Sequence, residues 1–204
     1  VAIAYDSRNR SDEFAQRAAD VLSANGIKVY LFDSLRPTPL LSYTVRELKC
    51  TAGIVITASH NPKEYNGYKV YWSDGGQLVP PHDNGVISEV RKVSSPNQVK
   101  SPAQAELINA VPSHIEESYY AAINGLIKEE SKGEAKRALK IVFTSLHGTG
   151  ITMIPQALSN AGFKTVKVLA AQQEPDGDFP TVKSPNPEET SAMQMAIEAG
   201  EQEQ

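Results

Sequence analysis

The stretch GIVITASHNPKEYNGY, residues 53–68, is the part of the chain around which the rest is arranged. Its first five residues, Gly53 to Thr57, are mostly apolar and β-branched, and this composition predicts a buried strand. The polar run that follows ends at Pro62, which cannot continue a strand ladder. Ser59 is therefore expected in a loop just beyond the carboxyl end of a strand, where open α/β sheets bind ligands. A turn in which Ser59 and Asn61 bond only their own backbone is the alternative.

The residues that precede this stretch have the pattern of a parallel α/β unit. The runs Val1 to Tyr5 and Ile27 to Phe32 are apolar and of strand length, and the segment Asp12 to Asn25 between them has a helical pattern. Strands joined in this way are parallel, and the crossover is right-handed. The polar residues Asp6 to Arg10 are then expected at the same sheet edge as Ser59.

The residues Asp6 and Arg8 allow two interpretations. They either pair with each other and only pin their loop, or support an active site at that edge. In the helix, four apolar residues fall on one face: Phe14, Ala18, Val21 and Leu22. This apolar face is expected to pack against the sheet.

The residues after the loop predict a further strand close to Ser59. Asn66-Gly67 is a signal for a tight hairpin turn, and Tyr68 to Trp72 alternate in the pattern of a strand. Lys69 is thereby placed on a rigid element, two short connections from the serine. A lysine that only covers a solvated strand face is the alternative.

The second half of the chain repeats this organisation. A long helix is predicted from about Ser113 to Ser131, and a second βαβ unit follows, with strands Leu139 to Phe143 and Phe163 to Leu169 around the helix Thr152 to Ala161. A further helix is predicted from Ser191 to Gly200. The predicted fold class is therefore α/β, with two βαβ-type modules and mixed, mainly parallel sheets.

The composition of the 204 residues is that of an ordinary globular protein, with 40% hydrophobic and 22% charged residues. A formal net charge of -4 argues against broad electrostatic binding to nucleic acid or to acidic membranes. No apolar run approaches the length of a membrane span. Cys50 is the single cysteine, so no internal disulfide can form, and a cytoplasmic location is predicted.

TASHNP at residues 57–62, with YNGYK at residues 65–69, resembles the active-site signature of the α-D-phosphohexomutases, the family of phosphoglucomutase and phosphomannomutase. Six contiguous residues and a lysine ten positions after the serine agree together, so the motif is specific. The resemblance implies that Ser59 carries the phosphate that passes to and from the sugar. It also implies that Lys69 is the general acid/base at the sugar hydroxyl.

The resemblance further implies three related α/β domains and a different fourth domain in the whole enzyme. We assign residues 1–112 to the first domain, which lacks its own start, and residues 113–204 to the opening part of the second. The remaining domains of the same polypeptide are then expected partners of this chain. The chain is accordingly predicted to be a fragment of a longer protein.

For the reaction, the resemblance implies the interconversion of a hexose 1-phosphate and a hexose 6-phosphate, of glucose or mannose. Hexose phosphate and hexose bisphosphate are the expected ligands, and a phosphoserine is the expected intermediate on the enzyme. Mg²⁺ is the expected cofactor, bound at Ser59 through the phosphate. The family's aspartate loop, of the form DxDxDR, does not occur in the sequence, so we expect the isolated chain to be inactive.

The neighbours of Ser59 complete the predicted site. His60 is assigned to the catalytic group, but not as a triad base, because adjacent side chains on extended backbone point in opposite directions. We expect it to fix the loop or to touch the phosphoryl group. Arg8 and Asn61 are assigned to substrate binding. The other histidines are predicted to be structural or on the surface: His82, His114 and His147. Only for His147, in a glycine-rich loop at the same kind of sheet edge, is a place near the site the alternative.

The stretch DGDFP at residues 176–180 has two carboxylates around a glycine, as some metal loops do. An EF-hand loop needs further oxygen ligands at fixed spacing and a glutamate at its twelfth position, and Thr181 to Glu188 do not supply them. We interpret DFPTVKSPNPEE as a connection in the second domain, because it resembles one in the phosphohexomutases.

Two other function classes stay open on the sequence. A serine-dependent phosphatase or hydrolase would use Ser59 and release phosphate or an acyl product without isomerisation of a sugar. A non-catalytic module would bind a sugar phosphate at the same loop, and Ser59 would then be dispensable for activity of the whole protein.

Overall fold

The fold contains two β-sheets with helices packed on their faces, as seen in the computed structural model, which describes residues 1–128 and 138–203. The strands are, in chain order, β1 Ala2–Tyr5, β2 Val29–Leu31, β3 Ala52–Ile56, β4 Tyr68–Trp72, β5 Ile108–Ala110, β6 Lys140–Phe143 and β7 Thr165–Val168. The helices are α1 Ser11–Ala24, α2 Thr38–Glu47, α3 His82–Val90, α4 His114–Gly125, α5 Ile154–Asn160 and α6 Thr190–Glu201.

The first sheet has five strands in the spatial order β4-β3-β1-β2-β5. β1 pairs in parallel with both β2 and β3, β5 pairs in parallel with β2, and β4 runs antiparallel to β3. The second sheet pairs β6 in parallel with β7, and α5 lies between these strands in the chain. The fold is thus α/β with mixed, mainly parallel sheets, and the prediction is confirmed.

Helices cover both faces of the first sheet, which makes it a three-layer sandwich. On one face, isoleucines of β1 and β3 pack against α1, where Ala15 and Ala19 are fully buried. On the opposite face, alternate residues of the same strands pack against α2 and against Ile115 of α4. Because strand side chains alternate between faces, the apolar run Ile54 to Ile56 contributes to both cores.

The face of α1 that packs on the sheet overlaps only partly with the predicted one. Ala15 and Ala19 are fully buried in the contact, because their small side chains let the helix approach the strands closely, and Ala18 and Leu22 of the predicted face pack beside them. Phe14 and Val21, which were expected to be buried, are 41% and 39% exposed. They line an open apolar groove beside Tyr68 of β4. The hydrophobic pattern therefore identified the helix but only part of its packed face.

A long loop connects β3 to β4. The prediction of a tight hairpin turn at Asn66-Gly67 is therefore wrong. Gly67 already pairs with the residue after β3, since its carbonyl oxygen accepts a hydrogen bond from the Thr57 nitrogen at 3.0 Å. A Cβ atom at position 67 would lie 2.4 Å from the Thr57 carbonyl oxygen. Glycine is needed here because two backbones approach closely, and not because a turn requires it.

The helix α4 packs against both modules. It ends earlier than predicted, and part of the predicted helix falls on residues 129–137, outside the described part of the chain. On one side, its Tyr119 ring lies edge-on to Tyr43 of α2, with ring centroids 5.2 Å apart. On the other side, the Tyr120 hydroxyl donates to the carbonyl oxygen of Met153, just before α5, at 3.4 Å. The helix thereby connects the packing of the two sheets.

Two peripheral elements complete the described structure. The strand β5 has three residues and pairs with β2 at the sheet edge, and it is too short for a periodic pattern to reveal. The helix α3 buries none of its residues. Within residues 1–128 and 138–203, no helix has both the length and the apolar character needed to cross a lipid bilayer.

Candidate active site

Ser59 lies beyond the carboxyl end of β3, in a loop that departs from strand geometry. Thr57 and Ala58 are buried, whereas Ser59 is exposed at the sheet edge. Its backbone has a φ of 58°, in the left-handed region that residues other than glycine rarely adopt. The Ser59 nitrogen donates a hydrogen bond to Thr57 Oγ1 at 3.0 Å, which supports this conformation. The serine is thereby presented at the sheet edge, as its place in the sequence predicted.

Arg8, from the loop that follows β1, binds the backbone of the serine loop. Its guanidinium is buried, and its two terminal nitrogens donate four hydrogen bonds to carbonyl oxygens. Nη2 donates to Ser59 at 3.1 Å and to Asn61 at 2.5 Å. Nη1 donates to Pro62 at 2.8 Å and to Tyr65 at 2.9 Å. The assignment of Arg8 to substrate binding finds no support in this geometry, because these donors point into protein backbone.

Asp6 holds Arg8 in this position. Its Oδ1 accepts hydrogen bonds from the Arg8 backbone nitrogen at 3.0 Å and from the Ser11 hydroxyl at 2.7 Å. Its Oδ2 lies 3.4 Å from Arg8 Nε. Burial lowers the pKa of Arg8 from its usual value, while the carboxylates of Asp6 and Glu64 act in the opposite direction. Asp6 and Arg8 therefore do pair and pin a loop, and that loop is the one that contains Ser59.

His60 and Asn61 are both exposed in the turn that follows Ser59. Ser59 Oγ and His60 Nδ1 are 3.5 Å apart, which is longer than a normal hydrogen bond. The expectation that these two side chains point in opposite directions is wrong. It assumed an extended backbone, whereas the backbone of Ser59 adopts the left-handed conformation. The Asn61 nitrogen donates to the Ala58 carbonyl oxygen at 3.1 Å. A role of the Asn61 side chain in substrate binding stays a prediction.

Lys69 lies on β4 opposite Val55 of β3 in the antiparallel register. Residues that oppose each other in such a pair point to the same side of the sheet, and so do residues two positions apart on one strand. Lys69 therefore shares its face with Thr57, which contacts Ser59. The side chain is half-buried. The lysine is thus on a rigid strand and on the face that leads to the serine loop, and its contact with a substrate stays a prediction.

A cleft of about 490 Å³ opens in front of the serine loop. One wall belongs to the first module and includes Ser59, Thr57 and the segment Pro37 to Pro39. The other wall belongs to the second module and includes the loop from Ser145 to Gly150 and the side chain of Phe179. Small-molecule sites occupy roughly 300–1,000 Å³, and they lie preferentially between domains. The serine therefore faces a space of the size of a small-molecule site.

The loop that precedes α6 brings the second module to the serine loop. Asp178 Oδ1 lies 3.2 Å from Lys63 Nζ and accepts a hydrogen bond from Asn9 Nδ2 at 3.4 Å. The guanidinium of Arg8 lies over the ring of Phe179, 5.4 Å from its centroid. All three contacts cross between the modules, and they reach the serine loop itself at Lys63 or the segment Arg8-Asn9 that holds it.

Sequence reasoning did not predict these contacts, since it treated residues 176–180 as a simple connection. One signal was present: Phe179 is a large aromatic residue in a polar loop, and such a side chain needs apolar cover. The structure supplies it, because Phe179 is only 5% exposed. No comparable signal marks Asp178, whose partners lie more than a hundred residues away in the chain.

His147 supports the second wall of the cleft and is 4% exposed. Its ring nitrogens lie 2.9 Å from the Glu174 carbonyl oxygen and 2.9 Å from the Thr181 hydroxyl oxygen. The fully buried Gln172 donates to the same hydroxyl at 3.0 Å. This network ties the loop from Ser145 to Gly150 to the segment before α6. The contacts of His147 are those of a structural residue, and its neighbours Leu146 and Gly148 line the cleft in front of Ser59. A role of His147 in the reaction stays a prediction.

The described residues do not fit a complete metal site. Within residues 1–128 and 138–203, no group of three or more histidine, cysteine, aspartate or glutamate side chains is arranged to hold a metal ion. Asp6 lines the cleft beside Ser59, but its carboxylate is engaged by Arg8 and Ser11. Mg²⁺ requires oxygen ligands in octahedral geometry. Any such ion at Ser59 would need ligands beyond the described residues.

Comparison with protein families identifies both modules. The family model described as phosphoglucomutase/phosphomannomutase, alpha/beta/alpha domain I, matches residues 1–97, and the model of domain II matches residues 117–204. The chain therefore belongs to the phosphoglucomutase/phosphomannomutase family. The predicted boundary between residues 112 and 113 falls between the two matches and stays a prediction.

Individual relatives agree with this assignment. Phosphoglucomutases of Staphylococcus epidermidis and Staphylococcus aureus strain MRSA252 are 43% identical over 202 residues and 41% identical over 201 residues. In both cases the match covers 97% of this chain and 36% of the relative, so the chain spans little more than a third of the length of the curated relatives.

Solved structures share the fold over nearly the whole chain. A candidate phosphomannomutase from Thermus thermophilus has a TM-score of 0.79 at 25% identity, and the match covers 97% of this chain and 42% of that one. A phosphoglucomutase/phosphomannomutase family protein from Burkholderia thailandensis has a TM-score of 0.74 at 22% identity, with 97% and 41% covered. Both modules are therefore arranged as in these larger proteins.

Proposed function

We propose that this chain carries the phosphoserine of a phosphohexomutase, an enzyme that interconverts hexose 1-phosphate and hexose 6-phosphate. Glucose and mannose phosphates are the proposed substrates, and hexose bisphosphate is the intermediate. The observation that carries the proposal is the exposed Ser59 beyond the end of β3, facing a cleft between two modules. The single cysteine, Cys50, is buried and unpaired, which supports the proposed cytoplasmic location.

In the first half-reaction the phosphoryl group moves from Ser59 Oγ to the free hydroxyl of a hexose monophosphate. The Oγ–P bond breaks and an O–P bond to the sugar forms, with the two oxygens roughly in line. Lys69 accepts the proton of the attacking hydroxyl. Ser59 Oγ takes up a proton as it leaves, and His60, with Nδ1 3.5 Å away, is the proposed donor. The product is hexose bisphosphate.

In the second half-reaction the bisphosphate presents its other phosphate to Ser59. His60 accepts the serine proton as Oγ attacks phosphorus, and the ammonium group of Lys69 donates a proton to the sugar oxygen that leaves. The second half-reaction is the reverse of the first at the other position of the sugar, so one set of residues serves both. Return of the phosphate to Ser59 restores the starting enzyme.

The backbone of Ser59 supports its role as a positioned phosphate carrier. A left-handed φ at a residue other than glycine costs about 1–3 kcal/mol and persists where surrounding contacts hold it, often at active sites. Thr57 and Arg8 supply such contacts on the two sides of the residue. Phosphoryl transfer depends chiefly on positioning and on electrostatic stabilisation. A loop held at Ser59 by buried partners meets the first requirement.

We further propose that the 204-residue chain is inactive by itself. It spans 36% of the length of its phosphoglucomutase relatives, and its described residues do not supply a complete ligand set for Mg²⁺. When bound, this ion would neutralise charge on the phosphoryl oxygens. Turnover of a hexose phosphate by the purified 204-residue chain would contradict the proposal.

The function is tested in the full-length enzyme, by which we mean the polypeptide at the length of its curated relatives. Ser59→Ala is expected to abolish the conversion of hexose 1-phosphate to 6-phosphate, while the matched variant at the exposed Ser73, Ser73→Ala, retains it. Release of inorganic phosphate without an isomerised product would indicate a phosphatase. Unchanged activity of Ser59→Ala would indicate a binding module.

A further inference from the structure

We propose that Arg8 is a positioning residue for the loop of Ser59, and that Phe179 of the second module keeps Arg8 in place. The inference rests on the proposed function, in which Ser59 accepts and donates the phosphoryl group. Arg8 is 3% exposed, so it acts on the reaction through the loop backbone and not by contact with the sugar.

The hydrogen bonds of Arg8 span the whole loop. A guanidinium carries four hydrogens on its terminal nitrogens, and all four are donated to carbonyl oxygens between Ser59 and Tyr65. The group is planar and rigid, so the four oxygens are held at fixed separations from one another. One side chain thereby fixes the start and the end of the loop at once.

The loop has few other contacts that could fix it. Every residue from Ser59 to Tyr65 is exposed, and Ser59 adopts a left-handed conformation. Inside the loop, the Tyr65 nitrogen bonds the Pro62 carbonyl oxygen at 3.1 Å, which closes one turn. Exposed segments with few buried contacts open locally at low free energy. The bonds from Arg8 are therefore the main connection between the loop and the protein interior.

Arg8 is itself held from two sides. Asp6 faces Nε at 3.4 Å and accepts from the Arg8 backbone nitrogen. Phe179 covers the guanidinium with its ring at 5.4 Å, within the range of a cation–π contact. Because Phe179 belongs to the second module, correct docking of that module favours the ordered serine loop in the first.

A lysine cannot replace this arginine. Its ammonium group has three donors on one atom, so it cannot bridge four carbonyl oxygens spread over the loop. Arg8→Lys keeps the charge and removes the bridge. Arg36→Lys is a matched control, because Arg36 forms a partly buried ion pair with Glu116 at 2.6 Å and directs its other hydrogen bonds to Ser34 and Leu35, away from the serine loop.

The first test is cleavage of the folded 204-residue chain by trypsin after Lys63, within the loop. We expect the initial cleavage rate at Lys63 to rise several-fold in Arg8→Lys and to stay unchanged in Arg36→Lys, with urea midpoints measured for both variants. An unchanged rate in Arg8→Lys, or an equal rise in both variants, would overturn the inference. This test needs no activity, so its outcome does not depend on the proposed function.

The second test is kinetic and uses the full-length enzyme. Misplacement of a reacting group by about 1 Å can cost about 10²-fold in rate, so we expect kcat to fall about 10²-fold in Arg8→Lys with KM for hexose monophosphate unchanged. A raised KM with kcat retained would show that Arg8 binds substrate and would overturn the inference. If the unmodified enzyme transfers no phosphate to Ser59, the proposed function fails, and the cleavage test still decides whether Arg8 orders the loop.

Discussion

Gly177 packs directly on the backbone of Asn9, so closely that a Cβ atom added to Gly177 would lie 2.4 Å from the Asn9 nitrogen. Asn9 follows Arg8, which holds the serine loop, and Gly177 precedes Asp178 and Phe179, which contact that loop or its arginine. The two modules therefore meet closely at the residues that support Ser59. A side chain at position 177 would separate them.

We predict that Gly177→Ala lowers the free energy of unfolding by about 1–3 kcal/mol, the usual cost of inserting a methyl group into a packed contact. Urea denaturation of the 204-residue chain measures it. Gly85→Ala is the control, because nothing lies within 4 Å of a Cβ atom built at that position in α3. It is expected to stabilise the chain by about 0.4–1 kcal/mol. Equal effects of the two substitutions would contradict this account of the contact.

Phe179→Leu tests the aromatic cover of Arg8. The substitution retains an apolar side chain but removes the ring face, and a cation–π contact is worth about 0.5–2 kcal/mol. We expect faster trypsin cleavage at Lys63 than in the unmodified chain, and a smaller increase than for Arg8→Lys. Phe14→Leu is the matched control, since Arg10 lies over the Phe14 ring at the same 5.4 Å on the exposed side of α1. Faster cleavage in both leucine variants would refute a specific role for Phe179.

Lys69→Met tests the proposed acid/base group in the full-length enzyme. Loss of a positioned proton-transfer group lowers the rate by about 10²–10⁴-fold, so kcat should fall by this factor with little change in KM. Lys92→Met, at an exposed site just after α3, is the control and should retain full activity. A Lys69→Met enzyme with normal kcat would remove the lysine from the mechanism.

The buried phenol of Tyr71 contributes to the alkaline pH dependence of stability. Burial raises its pKa above the ordinary value of 10.0. As the pH rises, the unfolded chain therefore loses this proton first, and stability that is fully present below about pH 10 is lost as the pH passes through the pKa of the folded state. Burial likewise raises the pKa of the Cys50 thiol from 9.0.

We therefore expect the free energy of unfolding to decline between about pH 9 and 11, and Tyr71→Phe to make the decline shallower. Urea denaturation over this range measures the slope. Tyr65→Phe, at a residue that is 61% exposed, is the control and should leave the slope as it is in the unmodified chain. If the free energy of unfolding of Tyr71→Phe declines with pH as steeply as that of the unmodified chain, Tyr71 is not a source of the alkaline decline.

Much of the fold could be predicted because its signals are local. Apolar runs and helical patterns identified the elements of both βαβ units, and Ser59 was placed beyond the end of β3 from the composition of a few residues. Local patterns failed where the deciding contact was tertiary. The buried face of α1 is set by Ala15 and Ala19, since close approach to the strands matters more there than the hydrophobicity of Phe14.

The side-chain motif of the site could be predicted from the sequence. The contacts that hold the serine loop in place could not. Arg8 binds main-chain carbonyl groups more than fifty residues away, and main-chain partners leave no trace in a sequence pattern. The left-handed conformation of Ser59 was also hidden, because serine carries no preference for it as glycine does. That conformation brings His60 towards Ser59 Oγ, contrary to the expectation from extended backbone.

The most direct test of the central claim is the mass of the tryptic peptide 50–63 from the full-length enzyme, with and without prior incubation with a hexose bisphosphate. Fragmentation of this peptide assigns any modified residue. We predict the added mass of one phosphoryl group on Ser59, and its complete loss in Ser59→Ala. An active enzyme in which this peptide never carries phosphate, or carries it only on another residue, would contradict the account.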